Sequence, residues 1–202
     1  CYLHSTRTPW IMRWPGVVEP GRTDAEHFVS GPDLMPTLLE AAQAAEPAGM
    51  DGASFVPVLR GERQAGRDRV FTQFHQTAGK RNYPMRCVQT RRFGYIVNLW
   101  SNGRRVFHNE SQEGRTWSAM TAAAPTSPFI AGRCELFMHR VVEEFYDFER
   151  DPDALHNLID EPAYTEECRR LQAALEDWMA RTADPALDAF RIPGGQVSRA
   201  GV

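Results

Sequence analysis

The residues best placed to do chemistry are cations, and no nucleophile accompanies them. His75 follows the apolar segment RVFTQF and begins a polar loop, and Lys80, Arg81 and Arg86 come soon after it. An imidazole and permanent cations at the mouth of a polar connection can hold an anionic or polar ligand. The same residues also suit an ordinary solvated loop. The other histidines (His4, His27, His108, His139, His156) are scattered, with no pair at i, i+4 spacing and no zinc signature. No G-x-S-x-G elbow and no glycine-rich phosphate loop occurs. Cys1, Cys87, Cys134 and Cys168 include no C-x-x-C pair and read as buried thiols. Asp147, Glu149, Arg150 and Asp151 resemble an acid pair. A turn explains them more simply, because short carboxylates accept backbone N–H groups there. Arg7 and His4 precede an apolar segment, where Arg7 could hold an anion or brace a sheet end through a carboxylate.

Composition narrows the classes. The 202 residues are 42% hydrophobic and 24% charged, an ordinary globular mixture with enough apolar material for one core or two smaller ones. A formal charge of −3 supplies no general basic field for nucleic acid. No apolar run is long enough to span a bilayer. The opening CYLHSTRTPWIMRWPG lacks the charged leader, apolar core and cleavage site of a signal peptide, and it reads as the middle of a longer protein.

Elements must position the candidate residues. TPWIMRW reads as a short strand, followed by PGVVEPGR with two Pro-Gly turns. Ser30 or Asp33 caps a helix carrying Leu34, Leu38, Leu39 and Ala42, and Pro36 is tolerated only in its first turn. SFVPVLRGERQAGRD is mostly loop. RVFTQFHQ is a strand, TAGKRNYP a polar connection, and MRCVQTRRFGYIVNLW two strands meeting near RRFG. Residues 101–133 read as a long irregular excursion with one short helix near Trp117–Ala123. Phe145, Tyr146 and Phe148 mark a further strand, and ERDPDALHN is a tight turn. Asp160 or Glu161 then caps a helix with Pro162 at its first position. Its stripe of Tyr164, Cys168, Leu171, Leu175, Trp178 and Met179 must lie on a sheet.

The reading is therefore α/β plus α+β. Residues 1–67 are the end of an α/β domain. Residues 68–183 are an antiparallel sheet of about four strands with a packed C-terminal helix, and residues 184–202 an extended tail.

Four ordered segments are similar to the C-terminal part of the sulfatases, within the alkaline-phosphatase-like superfamily. CYLHSTRTPWIMRWPG resembles L-Y-E-G-G-x-R-V-P with its following Pro-Gly, and VSGPDLMPTLLEAA resembles S-x-x-D-L-x-P-T-L-L. GMDGASFVPVLRG resembles G-x-x-L-x-P-x-L-x-G, and EFYDFERDPDALHNLIDEPAY resembles E-L-Y-D-L-x-x-D-P-x-E-x-x-N-L. YPMRCVQ is most similar to the heparan N-sulfatase (sulfamidase) branch.

The resemblance implies hydrolysis of a sulfate ester or an N-sulfated amino sugar by a formylglycine, with Ca2+ polarising the sulfate. No cysteine or serine here begins the C/S-x-P-x-R motif, so the formylglycine and the calcium ligands are expected upstream of Cys1, and the chain alone is expected to be inactive. Arg7, Asp33, Asp147, Asp151, Pro152 and Asn157 match family positions that look structural. His4 and Ser5 replace the two glycines. The resemblance also implies that the connection holding His75, with Arg86 behind it, faces the substrate cleft and binds a sulfated small molecule or sugar. Two other readings stay open: a phosphodiesterase or phosphonate hydrolase of the same superfamily, and a non-catalytic module that binds sulfated sugar or a partner.

Overall fold

The computed structural model describes residues 1–192. Two compact units divide them: residues 7–70 with 89–92 form one, and residues 1–6, 71–88 and 93 onward form the other.

The smaller unit begins with irregular chain where a strand over residues 8–14 is expected. Ile11 is 92% exposed, and a strand needs a neighbouring ladder for its backbone groups. The expected helix is present as a 3-10 turn, Gly31–Asp33, running into α2, Leu34–Ala41. Ser30 donates to Asp33 Oδ2 from its backbone N–H (2.9 Å) and its hydroxyl (3.1 Å). VPVL makes one further turn, α3, Val56–Leu59. Arg67 organises the unit. It donates to Gln64 Oε1, to Asp33 Oδ2, and to the carbonyls of Phe28, Ala53 and Ser54. Gly52 lies so close to the chain at Pro32 that an added Cβ would stand 2.2 Å from the Pro32 carbonyl oxygen.

The larger unit is built on a four-stranded antiparallel sheet in sequence order: β1 (Arg69–Gln76), β2 (Asn82–Thr90), β3 (Phe93–Asn98) and β4 (Glu143–Asp147). The β3–β4 register opposes Tyr95 to Phe145 and Ile96 to Glu144. Alternation separates two apolar faces. Val88, Tyr95, Val97, Leu99 and Phe145 meet α6, Thr165–Arg181, through Cys168, Leu171, Leu175 and Met179. Phe71 stacks on Trp178 with ring centroids 5.1 Å apart. The opposite face carries Cys87, Ile96, Tyr146 and Phe148, and a second cluster of Tyr83, Met85, Trp100 and Phe107. It is met by α1, Leu3–Thr6, and by the excursion that follows β3.

That excursion is more regular than its composition predicts. It contains α4, Arg115–Ala123, and α5, Pro128–His139. The start of α5 is specified locally: the Ser127 hydroxyl accepts the Ile130 N–H and Pro128 stands at the first helical position. Aromatic contacts then anchor the pair, with Trp117 on Phe137 at 5.0 Å and Phe137 on Phe107 at 5.6 Å.

The expected tail also differs. Residues after Asp184 form α7, Leu187–Arg191, and Ala186, Leu187, Ala189 and Phe190 pack on the α6 core. The rest of the expected tail lies outside the described residues. Among the described residues no helix is long and apolar enough to cross a membrane.

Leu171 is fully buried against the sheet, so Leu171→Ala should cost about 2–5 kcal/mol in urea unfolding. Gly52→Ala must displace backbone. It should lower stability by about 1–3 kcal/mol, measured in the same way.

Candidate functional site

His75 lies within β1 rather than in the loop after it, and it is exposed. Alternation places it on the face of Phe71, toward the C-terminal end of α6. β1 is an edge strand, so its last residues border solvent. The β1–β2 connection is a tight turn. Thr77 donates its N–H to the Arg81 carbonyl (3.0 Å), Lys80 donates to Thr77 O (2.9 Å), and the Thr77 hydroxyl accepts the Arg81 N–H. Lys80 adopts φ 59°, a left-handed conformation that a lysine occupies at a cost.

Arg86 occupies a different environment. It is 1% exposed, and a carboxylate grips it from two sides. Nε donates to Asp184 Oδ2 at 2.5 Å and Nη2 to Asp184 Oδ1 at 2.8 Å. Nη1 donates to the carbonyls of Met85 and Phe74. Arg86 was expected to touch a ligand; four of its five N–H donors are engaged internally, and an anion reaching it would have to displace Asp184. Arg86 is a positioning residue beneath the end of β1.

Burial by itself would raise the Asp184 carboxyl. Hydrogen bonds from Arg86 and from the Ala186 N–H, with the charges of Arg86 and of nearby His75, outweigh burial and hold it below the ordinary carboxylate value. Arg86 thus holds both the Asp184 carboxylate and the carbonyl of Phe74, the residue before His75. Sequence reasoning missed Asp184 because it opens a segment that reads as tail.

Glu144 was missed as well. It is fully buried and accepts from Tyr2 Oη (2.6 Å), Tyr146 Oη (2.5 Å) and Asn98 Nδ2 (2.7 Å). Burial, then the Glu144 charge, pushes both phenols above their usual value. The Arg140 guanidinium lies 4.6 Å over the Tyr2 ring. A signal existed, since Glu144 shares its strand face with Tyr146 and Phe148, where a carboxylate needs dedicated donors. This network ties α1 to the sheet.

The remaining candidates are structural or unengaged. Asp151 Oδ2 accepts the Leu155 and His156 N–H groups, and Asn157 Oδ1 accepts those of Phe145 and Ile159. Asp147 Oδ1 accepts the Glu149 N–H. Asp33 is likewise internal to the smaller unit. Arg7, read as a brace, is exposed and has no carboxylate partner among the described residues. His4 pairs with Asp153 at 3.1 Å, both exposed. All four cysteines are free thiols, and burial with the Glu143 charge pushes Cys168 up to about 11. Among the described residues no group of three or more His, Cys, Asp or Glu gathers that could hold a metal ion. The calcium implied by the resemblance finds no fitting donor set here.

Residues 1–107 match the family described as N-sulphoglucosamine sulphohydrolase, C-terminal. The chain belongs to that family. A curated relative named ulvan-active sulfatase, from Formosa agariphila, is 28% identical over 180 residues, covering 88% of this chain and 34% of the relative. The human N-sulphoglucosamine sulphohydrolase is 26% identical over 198 residues, covering 86% of this chain and 39% of that enzyme. The crystal structure of a sulfatase-like protein from Bacteroides thetaiotaomicron superimposes with a TM-score of 0.55 at 24% identity, covering 83% of this chain and 28% of that one. That likeness supports the fold, a four-stranded antiparallel sheet with packed helices. The chain spans about a third of the length of the curated relatives it matches.

Removing Arg86 strands the buried Asp184 carboxylate. Arg86→Ala should cost about 3–5 kcal/mol in urea unfolding at pH 7. Because the folded Asp184 carboxyl lies below its ordinary 3.8, its contribution is present above that value and is lost as pH falls through the folded one. Asp184→Asn should flatten the acid limb of the stability curve below pH 3.8.

Proposed function

We propose that the protein carrying this chain is a sulfatase that hydrolyses sulfate esters or N-sulfated amino sugars, and that this chain supplies a wall of its substrate cleft. The observation that carries the reading is the family match over residues 1–107, which contains the whole β1–β2 hairpin and His75. The names of the relatives support the same chemistry: one is a sulfatase active on ulvan, another an N-sulphoglucosamine sulphohydrolase.

In this reading His75 donates a hydrogen bond to the substrate from the edge of the sheet. Arg86 and Asp184 fix the strand end from which it reaches out. In this reading the nucleophile, a formylglycine, and the Ca2+ ligands come from a region equivalent to the part of the relatives that this chain does not match. Bound calcium would supply Lewis-acid polarisation of the sulfate. This chain's residues bind and orient. The division of the chain at about residue 67 into the end of an α/β domain and a C-terminal subdomain is part of the same proposal.

The test is sulfate release by the full-length protein from N-sulfoglucosamine and from O-sulfated sugars, beside a phosphonate monoester of matched leaving group. Sulfate release in clear excess supports the reading, and preferential phosphonate cleavage overturns it. His75→Ala should raise KM roughly tenfold, as for loss of one hydrogen bond to a charged group, with little change in thermal midpoint because His75 is exposed. An unchanged kcat/KM would remove His75 from the substrate.

A further inference from the structure

The smaller unit holds one histidine, and its two ring nitrogens face partners of opposite kind. The His27 side chain is 12% exposed. On one side Nδ1 meets Asp24 Oδ2 at 2.9 Å, and an ionised carboxylate only accepts. On the other side Nε2 meets the backbone N–H of Gln64 at 3.3 Å, and an amide N–H only donates. These partners require the neutral ring, with its proton on Nδ1 and a lone pair on Nε2. Asp24 is arranged to stay ionised beside it. Its Oδ1 accepts the N–H groups of Glu26 (3.0 Å) and His27 (2.9 Å), and Arg22 Nη2 stands 3.5 Å from Oδ2. Burial acts to raise this carboxyl, but those N–H groups and the His27 ring hold it below the ordinary carboxylate value.

Gln64 belongs to a loop, residues 61–66, that leads from α3 to Arg67. Glycines stand at both its ends. Gly61 has φ 91° and Gly66 φ 79°, the left-handed region that glycine enters at little cost. Such ends can absorb a backbone change while the residues between them move together. Glu62, Arg63 and Ala65 are exposed. The loop is held at few points. The Glu62 N–H donates to the Pro57 carbonyl (2.9 Å), and the Gln64 side chain donates to Ser54 O (2.8 Å) and accepts from Arg67 Nε (2.6 Å). The bond to His27 is the tie between the Gln64 backbone and the turn at residues 24–27. The charged groups on the two segments that meet at the ring are Arg22, Asp24 and Glu26 on the turn, and Glu62, Arg63 and Arg67 on the loop side. Arg67 is committed to Asp33, and Arg63 lies 3.9 Å from Glu26 with both exposed.

We propose that His27 is a proton-operated latch on residues 61–66. The second proton enters at Nε2, the only ring nitrogen with a lone pair to take it. The ring then presents an N–H on both sides, and Nε2–H opposes the Gln64 N–H, donor against donor. That tie breaks. On the other side Nδ1–H keeps Asp24 as a charge-assisted partner. One proton therefore frees the loop while binding the ring more firmly to its own turn. The attached form carries the fewer protons, so attachment is complete at alkaline pH and is lost as pH falls through the range where imidazole titrates. The release is local. Arg67 retains Asp33 and the carbonyls of Phe28, Ala53 and Ser54, none of which depends on His27 Nε2.

The experiment follows amide hydrogen exchange by mass spectrometry in the full-length protein at pH 8 and at pH 5, with each rate referred to the intrinsic rate at that pH. Protection of residues 61–66 should fall about fivefold at the lower pH, as for the loss of one hydrogen bond. Protection of α2 should not change, which also reports that each variant is folded. His27→Gln can offer its side-chain oxygen to the Gln64 N–H and does not titrate, so its loop should be equally protected at both pH values. His27→Ala should show the low protection at both. Equal protection of the wild-type loop at pH 8 and pH 5, or no protection at either, would overturn the latch. So would a pH response in His27→Gln matching that of the wild type. A loss that spreads to α2 would also overturn it, because acid would then be loosening the whole unit.

Discussion

A buried guanidinium imposes the strongest local demand in this molecule. It carries five N–H donors, cannot shed its proton, and must find acceptors wherever it is taken from water. Arg86 meets that demand with both oxygens of Asp184 and two carbonyls. The pair joins the second strand to the chain just beyond α6, residues nearly a hundred positions apart. Such pairs add little net stability over an apolar substitute, yet losing one partner is expensive. Their effect is to select one arrangement. With α6 seated on Val88, Tyr95 and Phe145, Asp184 reaches Arg86. The smaller unit solves the same problem separately, through Arg67 and Asp33.

A rigid sheet end results from that pair and governs what His75 can do. An exposed imidazole on a fraying edge strand would sample many positions. Here the carbonyl of Phe74, the preceding residue, is held by Arg86, and the Phe71 ring is stacked on Trp178. The strand is therefore fixed close to the residue that faces solvent. In the proposed role, a wall built in this manner would lose little conformational freedom when a ligand arrives, because its ordering cost was met on folding.

The sheet and its principal helix were legible because they obey simple periods. The α6 stripe of Cys168, Leu171, Leu175 and Met179 is visible in sequence and is the face that packs. The terminal turn was legible because Asp151 and Asn157 are types that accept backbone N–H groups. The strand read into TPWIMRW failed for want of a partner, since composition reports apolarity and not pairing. The helices α4 and α5 were hidden for the opposite reason. Many of their residues are small or polar, and their anchoring comes from Trp117, Phe137 and Phe107, far apart in sequence. Asp184 was illegible because an acid beside a proline reads as tail until its partner is located. Arg86 was legible as a cation on a strand, which can face ligand or core; the location of its counter-charge, Asp184, was not legible.

A titratable ring follows a different rule from these fixed cations. Arg67 and Arg86 keep a constant set of donors, and their carboxylate partners neutralise a charge that never leaves. An imidazole changes its donor count instead, from one to two. Asp24 accepts from either form of His27 and so does not distinguish them by hydrogen bonding. The Gln64 N–H can only donate, and it therefore does distinguish them. A backbone donor aimed at a histidine converts protonation into a change of geometry, whereas a carboxylate aimed at it converts protonation into a stronger contact. His27 has one partner of each kind, and that physical difference separates it from the paired arginines of the interior.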